Sequence, residues 1–247
     1  MVPAAEPANE YVCRRTVDTI KIDGVLNEQS WQKAAATNAF TSYRGAGDNV
    51  YNTQAKMLWD NAKLYLAVTC ADPDVRATKT HRDDNIFDED CVEFFIMEQF
   101  YKERYNHFLE YQINALGTQT DAYNIAPYEG IVGWDSPGWQ SAVKVDGTLN
   151  NGADRDRGWV MEMAITFNDF HAVLYRTEES ARSHLHDKFQ GFAPAPGARW
   201  RANIYRLKYT SKGTEYQAWS PIDIAKAFHD LPHFGTIVFS EQPVGVA

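Results

Sequence analysis

The sequence predicts an all-β fold: an antiparallel β-sandwich or barrel with short helical excursions. Three observations predict it. Apolar residues fall in many short runs separated by turn residues, polar residues alternate with apolar ones inside those runs, and helical periodicity is confined to a few turns. Runs of this kind read as half-buried strands, and a chain built mostly of them closes into a sandwich or barrel.

Taken in order, the elements justify that reading. Residues 1–15, beginning "MVPAAEPANEY", are rich in Pro and Ala without the apolar centre of a signal peptide. They are expected to be a lead-in, with residues 16–247 forming one domain. A helical turn is expected over 27–35. In "AKMLWDNAKLYLAVTCADPDV" two apolar runs flank Asp60-Asn61, a hairpin turn, and Asp72-Pro73-Asp74 stops the second run. Further strands are expected at 91–97, 107–115, 140–146, 158–166, 199–207, 215–219 and 235–239. Helical turns are expected at 168–175 and 177–188, and the stretch 171–197, rich in charge, His and Pro, reads as a long excursion between strands.

Composition narrows the function. A chain of 247 residues can bury one substantial core. Its net charge of −9 excludes nucleic acid and anionic membrane as partners by repulsion. No apolar run reaches the roughly 18 to 20 residues of a membrane-spanning segment. Three cysteines make no disulfide framework, and Cys70 and Cys91 sit in apolar runs as small core residues. The sequence has no GxSxG, phosphate-binding loop, GxGxxG or CxxC. His184 and His186 lack an evident third metal ligand and read as a solvated loop.

The segment "NIFDEDCVEFFIMEQ", residues 85–99, carries the functional question, because Asp88, Glu89, Asp90 and Glu93 crowd the start of an apolar run. Alternation sorts the neighbouring runs into faces. Val92, Phe94 and Ile96 point one way, as do Leu109, Tyr111 and Ile113, and Trp200, Ala202 and Ile204. The opposite faces carry Glu93, then Glu110, Gln112 and Asn114, then Arg201, Asn203 and Tyr205. If the three strands share a sheet, Glu93, Gln112 and Asn203 meet on one face. An ordinary solvent face is the other reading, and alternation leaves both open.

The pieces "IKIDGVLNEQSWQKA", "AKMLWDNAKLYLAVTCADPDV", "IFDEDCVEFFI", "FLEYQINALGTQTD", "WVMEMAITFNDF", "ARWRANIYR" and "FHDLPHFGTIVF" occur in the order found in the family 9 carbohydrate-binding modules. The chain resembles that family, and its wider DOMON-like relatives, from residue 20 to 240, and the resemblance implies an antiparallel β-sandwich, jelly-roll or immunoglobulin-like. The resemblance implies binding without catalysis, at the end of a plant-type polysaccharide chain such as xylan or glucan. Ligand-binding members clamp sugar between two Trp side chains; the corresponding positions here are Phe87 and Phe228. The family's polar positions fall on Glu93, Gln112 and Asn203. Phe offers a smaller face than indole and no N–H, and Gln112 lacks the charged fork of the Arg that binders can carry. The resemblance also implies a secreted, periplasmic or cell-surface location and association with glycoside hydrolases.

Other chemistries stay open at this point. Asp88 and Asp90, about 6.5 to 7 Å apart on an extended chain, could serve a glycoside hydrolase acting on xylan-like polysaccharide, but nothing apolar beside them singles one out for a raised pKa. Asp23, Asp72, Asp74, Asp88 and Asp90 suit a structural calcium ion, the one metal expected; no cofactor is required. Haem-carrying relatives use Met, His or Lys, but Met57, Met97, Met161 and Met163 read as strand-core residues. A sandwich that has lost sugar binding is the remaining alternative.

Overall fold

The computed structural model describes residues 8–44, 51–97, 107–131, 133–170, 193–210, 213–223 and 228–246. Its strands are β1 (Glu10–Arg15), β2 (Thr41–Arg44), β3 (Thr53–Trp59), β4 (Lys63–Ala71), β5 (Cys91–Met97), β6 (Phe108–Asn114) and β7 (Gln119–Ala126). They continue as β8 (Glu129–Ile131), β9 (Gln140–Asp146), β10 (Gly158–Thr166), β11 (Arg199–Thr210), β12 (Gly213–Ala218) and β13 (Gly235–Pro243). One short helix, α1 (Gln29–Lys33), lies within the span expected to be helical. Helical turns also occupy 167–170, Ile86–Asp88 and Leu231–His233.

The strands hydrogen-bond in the order β8-β7-β6-β5-β11-β13-β1-β3-β4-β10-β9, with β12 and β2 branching from β11. This path is folded over on itself. Val92, Phe94 and Ile96 of β5 and Leu109, Tyr111 and Ile113 of β6 share one core with Met57, Leu66, Val68, Met161 and Met163 of β3, β4 and β10. Two layers with their inner faces in one core make a sandwich. Edge-to-face aromatic packing fills it: Trp200 meets Phe239 at 5.0 Å and Phe170 at 4.9 Å, and Trp59 meets Phe239 at 5.3 Å.

Local chemistry sets the register. Asp60 Oδ1 accepts from the amides of Ala62 and Lys63 at 2.7 and 2.8 Å, closing the β3–β4 hairpin where the sequence placed it. At Gly235, which opens β13, a Cβ would stand 2.6 Å from the Trp219 ring, so only glycine lets that indole lie against the strand.

Two expectations need correction. Residues 10–15 are not part of a lead-in: they form β1, because alternate residues Tyr11 and Cys13 enter the core. The sheet is also not wholly antiparallel, since β1 runs parallel to both neighbours, β13 and β3. Most of the 171–197 excursion, the expected helix at 177–188, His184 and His186 lie outside the described residues. Among those described, Cys13, Cys70 and Cys91 are free and buried, and Met57, Met97, Met161 and Met163 are buried too.

Candidate functional site

The outer face of β5, β6 and β11 is built by the alternation that fills the core, one residue out of phase. Cross-strand pairing sets Thr120, Gln112, Glu93, Tyr205 and Ala218 in one row. The next row holds Ala122, Glu110, Phe95 and Asn203. Glu93 and Gln112 thus stand directly opposite each other, and Glu110 is diagonal to Glu93, the spacing at which cross-strand side chains interact. This face does not look into open solvent. Glu93 is only 1% exposed and Gln112 6%.

Aromatic rings wall the polar patch. Phe95 stacks on Phe108 at 5.4 Å, Phe228 lies 4.5 Å from Tyr205, and His229 meets both Phe95 and Phe108 edge-on. Tyr128, two-thirds exposed, stacks on His229 at 4.2 Å, and its amide donates to His229 Nδ1 at 3.0 Å. Burial pushes the His229 pKa down to about 4, so that ring is neutral at pH 7. On the opposite flank, Thr120 Oγ1 donates to the Asp84 carbonyl at 2.8 Å and ties the loop carrying Phe87 to the row of Glu93. The Phe87 ring is 43% exposed, while its neighbour Ile86 is fully buried.

The polar groups are unevenly satisfied. Glu110 accepts from Gln112 Nε2 and, at 3.1 Å, from Asn124 Nδ2. Glu93 Oε2 and Gln112 Oε1 are buried without a hydrogen-bond partner among the described residues. Burial, reinforced by the nearby Glu110 carboxyl, pushes the Glu93 carboxyl well above the ordinary carboxylate range, and burial raises Glu110 as well. Two orphaned acceptors side by side are costly unless a ligand brings donors to them.

The sequence-derived residues divide. Glu93 and Gln112 are brought together as expected. Asn203 shares their face but serves the fold: its Nδ2 donates to Tyr205 Oη and the Ser220 carbonyl, and its Oδ1 accepts from the amides of Ile204 and Ser220. Its hydrogen-bonding capacity is spent on residues 204, 205 and 220, so the expected contact to a ligand hydroxyl is corrected to a structural role. Phe228 is a half-buried ring packed on Tyr205, Tyr216 and Phe95, and its carbonyl accepts from Tyr205 Oη at 2.8 Å. Glu110, Asn124, Tyr128 and His229 were not singled out from sequence. Alternation already placed Glu110 beside Gln112; the other three depend on long-range pairing.

The acids of the 88–90 cluster are structural. Glu89 accepts from the amides of Thr78 and Lys79 and from Asn114, and Asp90 from the amides of Arg76 and Tyr209. Asp88 is exposed and pairs with Lys79 at 3.0 Å. The expected calcium ligands are not gathered in one place. Asp23 pairs with Lys21, while Asp72 and Asp90 close on Lys208. Lys208 Nζ lies 2.6 Å from the Asp74 carbonyl, 3.0 Å from Asp72 and 3.1 Å from Asp90, with Arg206 on Asp72 at 2.7 Å. A tethered ammonium fills the position an ion would take, so these residues do not fit calcium. A different trio, Asp83, Asp121 and Asp135, brings its ligand atoms within 4.8 Å of one another, but Arg82 already bridges Asp121 and Asp135.

Solved structures share this fold. A candidate carbohydrate-binding protein from Bacteroides uniformis superposes with a TM-score of 0.67 at 14% identity, covering 94% of this chain and all of that one. A family 9 carbohydrate-binding module from Caldicellulosiruptor kristjanssonii in complex with cellotriose gives 0.61 at 15% identity, covering 94% and 95%. The module from the same organism in complex with glucose gives 0.62 at 15% identity, covering 96% and 99%. No curated protein matches the sequence. The profile of the carbohydrate family 9 binding domain-like family matches residues 22–241, and the chain belongs to that family.

Proposed function

We propose that this protein binds carbohydrate without catalysis at the outer face of β5 and β6, holding a sugar ring between Phe87 and the Phe228 side of the aromatic wall. The observation that carries the proposal is the pair of buried acceptors, Glu93 Oε2 and Gln112 Oε1, unpartnered among the described residues and beside stacked rings. A sugar presents C–H groups on its faces and O–H donors on its rim, which matches an aromatic wall next to orphaned acceptors. All seven Trp residues are buried, Trp139 being the most accessible at 8%, so the exposed platform falls to Phe87.

Two carboxyls on one face also suggest a glycoside hydrolase, but that chemistry needs their pKa values pushed apart. Here burial pushes both up rather than apart. The family setting supports work outside the cytoplasm, alongside polysaccharide-degrading enzymes. A glycan array followed by calorimetry with glucose, cellotriose and xylotriose tests the proposal. Saturable binding with a Kd on the order of 10 μM or weaker is expected for a ligand of two to three sugar units. No binding to any saccharide on the array would overturn it.

A further inference from the structure

The charge on this face selects within the carbohydrate reading, on which the following inference rests. From Glu93, Glu110, the unpartnered oxygens beside them and the surrounding rings, we infer that the preferred ligand carries an ammonium group: an amino sugar with a free amine, such as a glucosamine unit.

Two carboxyls sit diagonally on neighbouring strands, and neither forms an ion pair with a cation among the described residues. The outward positions of β5 are Cys91, Glu93, Phe95 and Met97, those of β6 are Phe108, Glu110, Gln112 and Asn114, and β7 adds Thr120, Ala122 and Asn124. Arg201, at the far end of the β11 face, spends its guanidinium on the carbonyls of Leu231, Pro232, Phe234 and Gly235. His229 is neutral, its Nδ1 accepting from Tyr128.

A neutral sugar can satisfy the orphaned acceptors, but it leaves a buried carboxylate uncompensated, or obliges the pair to hold protons. An ammonium removes both costs. It has three N–H donors and needs no acceptor, and it would meet Glu93 Oε2, Gln112 Oε1 and the Glu110 carboxylate, all on adjacent cross-strand positions. The rings of Phe95, Phe108 and Tyr205 add a favourable surface for a desolvated cation. The raised Glu93 and Glu110 carboxyls are consistent with a pair that lacks its cation.

The test is calorimetry on the whole chain with glucosamine, glucose, N-acetylglucosamine and putrescine. Glucosamine should bind at least about tenfold tighter than glucose and N-acetylglucosamine, since acetylation removes the charge while keeping the ring. Glu93→Gln and Glu110→Gln, each shown to be folded, should lower the ratio of glucosamine to glucose affinity. Glucose binding as well as glucosamine would overturn the inference and leave the carbohydrate reading standing. Putrescine binding as tightly as glucosamine would overturn the amino-sugar assignment in favour of a plain cation site. Binding of no saccharide would remove the carbohydrate reading and the inference together.

Discussion

Glu93 is a side chain whose cost to the fold follows from its place in the site. It is buried, lacks a partner for one oxygen among the described residues, and has its carboxyl raised by desolvation. An acid whose pKa is higher folded than unfolded contributes stability that is fully present below the unfolded value, about 4.3, and is lost as pH rises toward the folded one. Glu93→Gln should therefore melt higher than the parent at pH 8, by about 2 to 4 °C for each kcal/mol relieved, with the gap closing toward pH 4. Scanning calorimetry across that range checks it, and a constant gap would mean that Glu93 is not held protonated by the fold. Phe87 belongs to the same scale. Exposed and bordering the patch, it should cost little stability when replaced by Ala, yet weaken sugar binding by roughly 1 to 3 kcal/mol. Equal affinity of Phe87→Ala and the parent by calorimetry would remove it from the site.

At the scale of elements, what holds the loops around the site is ionic and legible only in three dimensions. Lys208 on β11 bridges Asp72, the Asp74 carbonyl and Asp90, and so fastens the loop after β4 and the loop before β5 to one strand. Removing the cation strands buried carboxylates, so Lys208→Met should cost about 3 to 5 kcal/mol. In a chain of this size that is a melting-point drop of about 6 to 20 °C. The parent should melt alike in calcium and in EDTA, because its cation is covalently attached; a midpoint lowered by EDTA would contradict the lysine-centred account.

The acidic cluster shows where sequence reading stopped. Asp72, Asp74 and Asp90 are visible as acids at strand ends, but Lys208 lies 118 residues beyond Asp90, and nothing local marks the cation that joins them. Alternation has longer reach. It found the Glu93 and Gln112 face and the core residues opposite, because period two is fixed by the backbone itself. It missed β1, whose first residues look like a polar tail, since its partner β13 is more than 200 residues away. The family resemblance put Asn203 on the ligand, and direction along a strand could not say that its side chain is already bonded to Ser220.

For the whole molecule, the sandwich is the rigid frame that carries the proposed binding face. Both inner faces are packed with aromatic and aliphatic side chains, and all seven Trp residues are spent on burial. Because burial raises both carboxyls rather than setting them apart, reducing-sugar assays on xylan and β-glucan should show no turnover; turnover abolished by Glu93→Gln or Glu110→Gln would assign the carboxyl pair to hydrolysis instead. The measurement closest to the central claim is a map of backbone amide NMR shifts while the sugar selected by the array is titrated into the isotope-labelled protein. The account predicts perturbations at Phe87, Glu93, Glu110, Gln112 and Tyr128. Shifts confined instead to the groove between β1 and residues 34–38, lined by Tyr11, Ala35 and Met57, would place the ligand elsewhere and contradict it.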